Sequence, residues 1–342
     1  MILVQPATTG TLTEIGRTLQ RAVQLEFATL PPYLYAWYST GPNAAARDRI
    51  LDIVHEEMIH MMLVCNIMNS LGFTPQVADT AAATVVPTYP GPLPYSIGSG
   101  PDGPFVVHLL GFSEAAMAQA AKIEEPEHKI AIPLAAVEPE FQTIGQFYAA
   151  VKGSLPDDGW NPVNQIDSAT AFAGELFPIP DKHAAEKAID RIVSQGEGTE
   201  AGTDQSPLDF EAEVSHFYRF SEIEKNKVLR KDSGPTGYRW GESLGIDFSS
   251  AVPAIDDPGT YDFSGDPPAQ AAQDRCDTAF TSMVQELQRT VTGDSDRLGN
   301  AVRQMFDLSR AARAALEIEL AGRPGFVAGP AFRFRPELTN RG

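Results

Sequence analysis

Two short segments of this 342-residue chain share one pattern, Glu-x-x-His: Glu57-Met58-Ile59-His60 and Glu213-Val214-Ser215-His216. On a helix a spacing of three sets the carboxylate and the imidazole about one turn apart on the same face. Around the first pair that face carries Ile50, Ile53, Val64, Ile67 and Leu71, and around the second Phe210, Phe217 and Phe220, so both pairs are expected to point into a core. An ionised carboxylate among apolar side chains costs several kcal/mol unless it is paired or bound to a metal. Two such pairs therefore constrain the chain to helices packed around shared polar chemistry.

Apolar periodicity predicts where those helices lie. A first helix over about 11–40 opens with a Thr11/Glu14 capping box, and Pro31-Pro32 should kink it or mark a second segment. After Gly41-Pro42, with Asn43 as N-cap, a second helix runs over about 44–71 and stops at Gly72. Further helices are expected at about 182–196 and at 206–230, the latter started by Ser206-Pro207. The Pro/Gly/Tyr-rich stretch 73–180 reads as a long irregular crossover with short helical pieces near 113–125 and 139–152. Residues 1–232 thus read as a mainly α four-helix bundle with one long crossover insertion, and 233–342 as a C-terminal linker and helical extension, with segments over about 268–292 and 296–321, packed on it.

Glu26 sits on the apolar face of the first helix, 14 residues before Thr40, and Glu57 sits 14 residues after Asn43, so an antiparallel hairpin sets the two at one height. Glu-x-x-His on two helices plus a Glu from each of the other two is the ligand pattern of carboxylate-bridged di-iron bundles. The carboxylate of the remaining helix stays open among Glu197, Glu186 and Glu124, because the first two flank the apolar stripe of their helix and Glu124 lies on the face of Met117, Ala120 and Ala121 in the crossover. Glu56 is i to i+4 from His60 but lies off the Ile53/Val64 stripe and is expected to be exposed. A zinc-protease reading of His55-Glu56 fails, since His55 and His60 are five apart and face different ways. Met58, Met61, Met62 and Met68 read as core filler, Cys65 as a small buried hydrophobe, and most of Tyr33, Tyr35, Tyr38 and Tyr218 as ordinary packing.

Composition narrows the partners. With 26 Lys+Arg against 45 Asp+Glu the formal net charge is −19, which argues against nucleic acid and anionic membrane surfaces as ligands. Two cysteines exclude a disulfide scaffold and a thiolate metal site, and point to a reducing cytoplasm. No signal-peptide pattern opens the sequence and no run approaches a membrane span, so a cytoplasmic protein is expected.

In combination, Leu25-Glu26-Phe27-Ala28-Thr29-Leu30-Pro31-Pro32-Tyr33-Leu34, Glu56-Glu57-Met58-Ile59-His60, Gln195-Gly196-Glu197-Gly198, Ser215-His216-Phe217-Tyr218-Arg219-Phe220 and the Ala328–Phe332 tail resemble the ferritin-like iminophenylpyruvate dimer synthase family, the domain shared with violacein and indolocarbazole biosynthesis enzymes. The resemblance implies a stand-alone ferritin-like protein and adds weight to Glu197 as the missing carboxylate. The expected centre is then a non-haem di-iron site on Glu26, Glu57, His60, Glu197, Glu213 and His216, with manganese as the alternative metal. The implied activity is an O2-dependent oxidase or oxygenase acting on a small organic substrate, an amino-acid-derived imine of secondary metabolism, in a chain that can self-associate as a homo-oligomer. A metal-binding accessory or iron-handling protein without organic turnover is the competing expectation.

Overall fold

The computed structural model describes residues 2, 4–96, 104–126, 144–167, 175–197, 199–201, 204–206, 208, 213–232, 238–294 and 297–339. Two long helices form the frame, α1 (Leu12–Tyr38) and α2 (Ala44–Ser70), packed as a hairpin along their lengths. Thr11 caps α1, its hydroxyl oxygen accepting from the Glu14 amide at 3.2 Å while the hydroxyl donates to the Glu14 carboxylate at 2.9 Å. The turn between the helices needs Gly41, which sits at φ +61° against the Ser250 carbonyl. Asn43 is not the side-chain cap of α2. Its amide instead donates to the Thr40 carbonyl at 2.8 Å and its oxygen accepts from the Asp247 amide at 2.8 Å, tying the turn to the C-terminal part of the chain.

Pro31 and Pro32 do not break α1, which runs through them without interruption. A proline at 32 deprives the Ala28 carbonyl of its helical donor, and the buried Tyr89 hydroxyl supplies a replacement, donating to that carbonyl at 2.7 Å. Tyr89→Phe is therefore expected to leave a buried acceptor unsatisfied and to lower stability by about 1–3 kcal/mol, read as a shift of the urea midpoint at unchanged slope.

The crossover supplies a two-stranded pair, β1 (Gly91–Pro92) with β2 (Val106–Val107), then α3 (Glu114–Ile123) and α4 (Ile144–Ser154), and the expected bundle helix follows as α5 (Lys182–Glu197). Part of the helical piece expected at 139–152 lies outside the described residues. A hairpin, β3 (Thr199–Ala201) with β4 (Asp204–Ser206), precedes α6 (His216–Lys225). The helix expected from 206 thus begins ten residues later. Ser206 is a strand residue, and Val214 pairs with Leu208 in an antiparallel bridge just ahead of α6, with Ser215 in extended conformation as its N-cap. It also ends at Lys225, because Asn226 turns left-handed at φ +52° and leads into the hairpin of β5 (Lys227–Lys231) and β6 (Tyr238–Ser243).

Around the middle of the α1/α2 pair, α3 packs on α6 and α1, and α5 on α2 and α4. The C-terminal extension is a second hairpin, α7 (Pro267–Val291) and α8 (Leu298–Ala315), followed by the short α9 (Pro336–Thr339). One continuous apolar core joins α1 to α7, with Leu19, Phe27, Ile50, Ile67, Phe147, Phe220 and Phe280 all buried. Cys65 and Cys276 are buried free thiols. Among the described residues no helix is long and apolar enough to cross a membrane.

Candidate metal centre

α1 contributes Glu26, α2 contributes Glu57 and His60, the residue closing α3 is Glu124, and α6 opens with His216. These five side chains converge in the interior as two overlapping triads, Glu26/Glu57/His60 and Glu57/Glu124/His216, the donor atoms of each lying within 4.8 Å of one another. Glu57 belongs to both. His60 Nδ1 is 3.6 Å from Glu26 and 3.4 Å from Glu57, and His216 Nδ1 is 2.9 Å from the same Glu57 oxygen and 3.8 Å from Glu124. The two imidazoles stack with centroids 5.5 Å apart.

Surrounding groups fix each ligand. The Nε2 atoms of the two histidines face Gln195 Oε1 at 2.8 Å (His60) and Glu56 Oε2 at 2.6 Å (His216). Since both partners accept, each Nε2 carries the hydrogen and each Nδ1 is turned inward as the free donor atom. Thr29 donates to Glu57 at 2.6 Å, Tyr33 donates to Glu124 at 2.5 Å, and Tyr148 donates to Glu26. Gln195→Leu would leave the buried His60 Nε2–H without an acceptor and free the ring to turn. We expect metal affinity to fall about 10–100-fold, measured by competition with a chelator.

The electrostatics call for cations. His216 Nδ1 is buried and makes no hydrogen bond despite its short distance to Glu57, so in the neutral ring its lone pair faces carboxylate lone pairs. Burial, and then the charge of Glu57, push the Glu26 and Glu124 carboxyls up. Burial also acts to raise Glu57, but its close approach to the His216 and His60 imidazoles, which become cations when they take up a proton, outweighs it and holds this carboxyl well below its usual range. Burial would lower His60, yet its contacts with Glu26 and Glu57 carry it up to about 9, and His216 rises for the same reason through Glu124, Glu56 and Glu57. Protons thus fill the cluster when nothing else does, and a metal entering it displaces them. Four carboxylates, counting Glu56, against Arg219 give a formal −4 + 1 = −3 with neutral imidazoles, which two divalent ions would turn to −3 + 4 = +1. Carboxylate oxygen and imidazole nitrogen without thiolate is a donor set suited to iron or manganese.

Of the residues expected from the sequence, Glu26, Glu57, His60 and His216 are brought together. Glu213 is not: it precedes α6 in extended chain and is exposed, because the helix that would have turned it inward starts only at His216. Glu197 ends α5, and its side chain lies outside the described residues. Glu186 stays half-buried on α5, apart from both triads, whereas Glu124 is the candidate whose oxygen joins one. Glu56 is buried rather than exposed. α6 covers this side of α2, while Asp52 and His55 keep the exposed face, and it brings Arg219, which donates to Glu56 alongside His216. Desolvation raises the Glu56 carboxyl, but His216 and Arg219 prevail and hold it at about 2. Tyr148 carries no motif signal, and Thr29 and Gln195 lie within family-like segments whose acidic residues drew the assignment instead. Arg219 does carry one, a lone basic residue i+3 from His216.

Glu26, Glu57, His60 and Glu124 themselves line a small cavity of about 40 Å³, whose remaining wall is largely apolar, with Leu25, Leu93, Ile123, Ile144 and Ile192.

Three comparisons bear on this geometry. A family model described as ferritin-like matches residues 19–225. A 2-imino-3-(indol-3-yl)propanoate dimerase from Chromobacterium violaceum is 25% identical, the match covering 74% of this chain and 26% of the relative, so the chain spans about a quarter of the length of that relative. The crystal structure of a ferritin-like protein from Caulobacter vibrioides superposes with a TM-score of 0.62 at 21% identity, over 91% of this chain and 97% of the other. That likeness speaks to the fold.

Proposed function

The chain belongs to the ferritin-like family, and from that premise we propose that its five-residue cluster holds two iron ions and oxidises a small organic substrate at the expense of O2. The observation that carries this reading is the position of Glu57, one carboxylate common to two triads that each add a terminal Glu and an inward His Nδ1. Two irons held there supply a two-electron reservoir for O2 reduction. The chain's own residues do the rest. Glu26 and His60 would hold one ion and Glu124 and His216 the other, and Gln195 and Glu56, by accepting from the Nε2–H groups, orient both Nδ1 atoms toward the metal that displaces their protons. Tyr148 and Tyr33 hold the outer carboxylates in place from the opposite edge. Leu25, Ile123, Ile144 and Ile192 exclude bulk water and offer an apolar wall to a substrate.

The Chromobacterium relative, by its name a dimerase of an indolyl imino acid, suggests the substrate class: an imine derived from an aromatic amino acid. Iron-loaded protein in an oxygen electrode should consume O2 faster when such an imine is generated in the cell, with catalase present. Uptake that follows iron alone, whatever imine is added, would contradict organic turnover. It would favour iron handling, a reading to which the small volume of the cavity lends support, since about 40 Å³ admits ions and water more readily than an indole.

A further inference from the structure

The two triads differ in what stands behind each histidine and in what lies open in front of it. Behind His216 the acceptor is a carboxylate, Glu56 Oε2 at 2.6 Å, and behind His60 it is an amide oxygen, Gln195 Oε1 at 2.8 Å. A hydrogen bond to an ionised acceptor is roughly twice as strong as one between neutral groups. A carboxylate in that position also makes the imidazole a better donor to a metal. Each acceptor has an arginine beside it. Arg219 donates to Glu56, so that acceptor and its cation sum to zero. Arg191 approaches the neutral Gln195 Oε1 at 3.4 Å and pairs with Glu175 at 3.0 Å. The arginines therefore leave His216 with the stronger backing.

In front of the histidines the order reverses. All three members of the Glu26/Glu57/His60 triad line the small cavity, together with Thr29 and Tyr148, and His216 does not. A water needs about 10–15 Å³ of such space, so a volume of about 40 Å³ takes a diatomic molecule or a few waters.

We propose that the two positions have different roles. The Glu57/Glu124/His216 position fills first and retains its ion, and the Glu26/Glu57/His60 position is the one that accepts an external ligand from the cavity, a diatomic molecule such as O2 or a small monodentate anion. Gln195 and Glu56 are then positioning residues that set the order of filling. This inference rests on the two-ion reading above and holds for organic turnover and for iron handling alike.

Crystals of the full chain loaded anaerobically with one and with two equivalents of Fe(II), the latter also exposed to nitric oxide, test it by anomalous scattering at the iron edge. At one equivalent, iron occupancy is expected to be at least about threefold higher at the His216 position. At two equivalents, nitric oxide is expected on the His60-side iron alone. Gln195→Glu gives His60 a carboxylate that Arg191 can pair, and should bring the two occupancies at one equivalent to within about twofold of each other at unchanged total iron. A residue that only held the fold would lower both together. Equal occupancy in the native chain, a preference for the His60 side, a preference unmoved by Gln195→Glu, or nitric oxide on the His216-side iron would each overturn the proposal while two ions stay bound. A chain that takes up no iron, or one ion at two equivalents, would overturn the two-ion reading and this proposal with it.

Discussion

Glu57→Ala is expected to abolish binding of both metal ions, lowering affinity by more than about 100-fold, whereas Glu124→Ala should cost one ion and Glu213→Ala none. The difference follows from position. Glu57 faces His60 and His216 together, Glu124 joins only the His216 triad, and Glu213 is exposed ahead of α6. Iron content after anaerobic Fe(II) loading and desalting reads all three variants, with circular dichroism confirming that each is folded. Equal losses from Glu57→Ala and Glu213→Ala would contradict the shared-carboxylate arrangement.

The largest stability effect is expected at a residue that touches no metal. Arg219 is buried on α6, donates to Glu56, and fixes itself to the start of its helix through the Val214 carbonyl at 2.5 Å. Arg219→Met removes the cation but leaves Glu56 buried beside His216, and breaking a buried pair in this way costs about 3–5 kcal/mol. Arg219→Met/Glu56→Gln removes both charges and should recover most of that loss. Urea unfolding of the two variants checks the sign and the size. A loss under about 1 kcal/mol for the single variant is what an exposed pair would give and would mean that solvent reaches Glu56.

Much of this architecture is legible in the sequence because long helices write a strong period. The α1/α2 hairpin, the level placement of Glu26 and Glu57, and the inward His60 all follow from 3.6-residue spacing. The second Glu-x-x-His pattern misleads in an instructive way. His216 is inward, but Glu213 shares its face only if the helix already exists there, and the Val214–Leu208 bridge prevents that. The carboxylate left open among Glu197, Glu186 and Glu124 is met in the His216 triad by Glu124, from a short crossover helix whose docking against α6 depends on tertiary packing. Glu56 is hidden from periodicity for a related reason, since its burial comes from the docking of α6 and Arg219 beside the apolar stripe, while His55 and Asp52 hold the wet face. Pro31-Pro32 look like a break until Tyr89, over fifty residues away, takes up the Ala28 carbonyl.

The central claim is that Glu57 lies between two metal ions. Crystals of the Fe(II)-loaded protein, measured on both sides of the iron absorption edge, test it most directly. Two anomalous peaks are expected, one bounded by Glu26, Glu57 and His60 and the other by Glu57, Glu124 and His216. A single peak, or iron held away from Glu57, would contradict it.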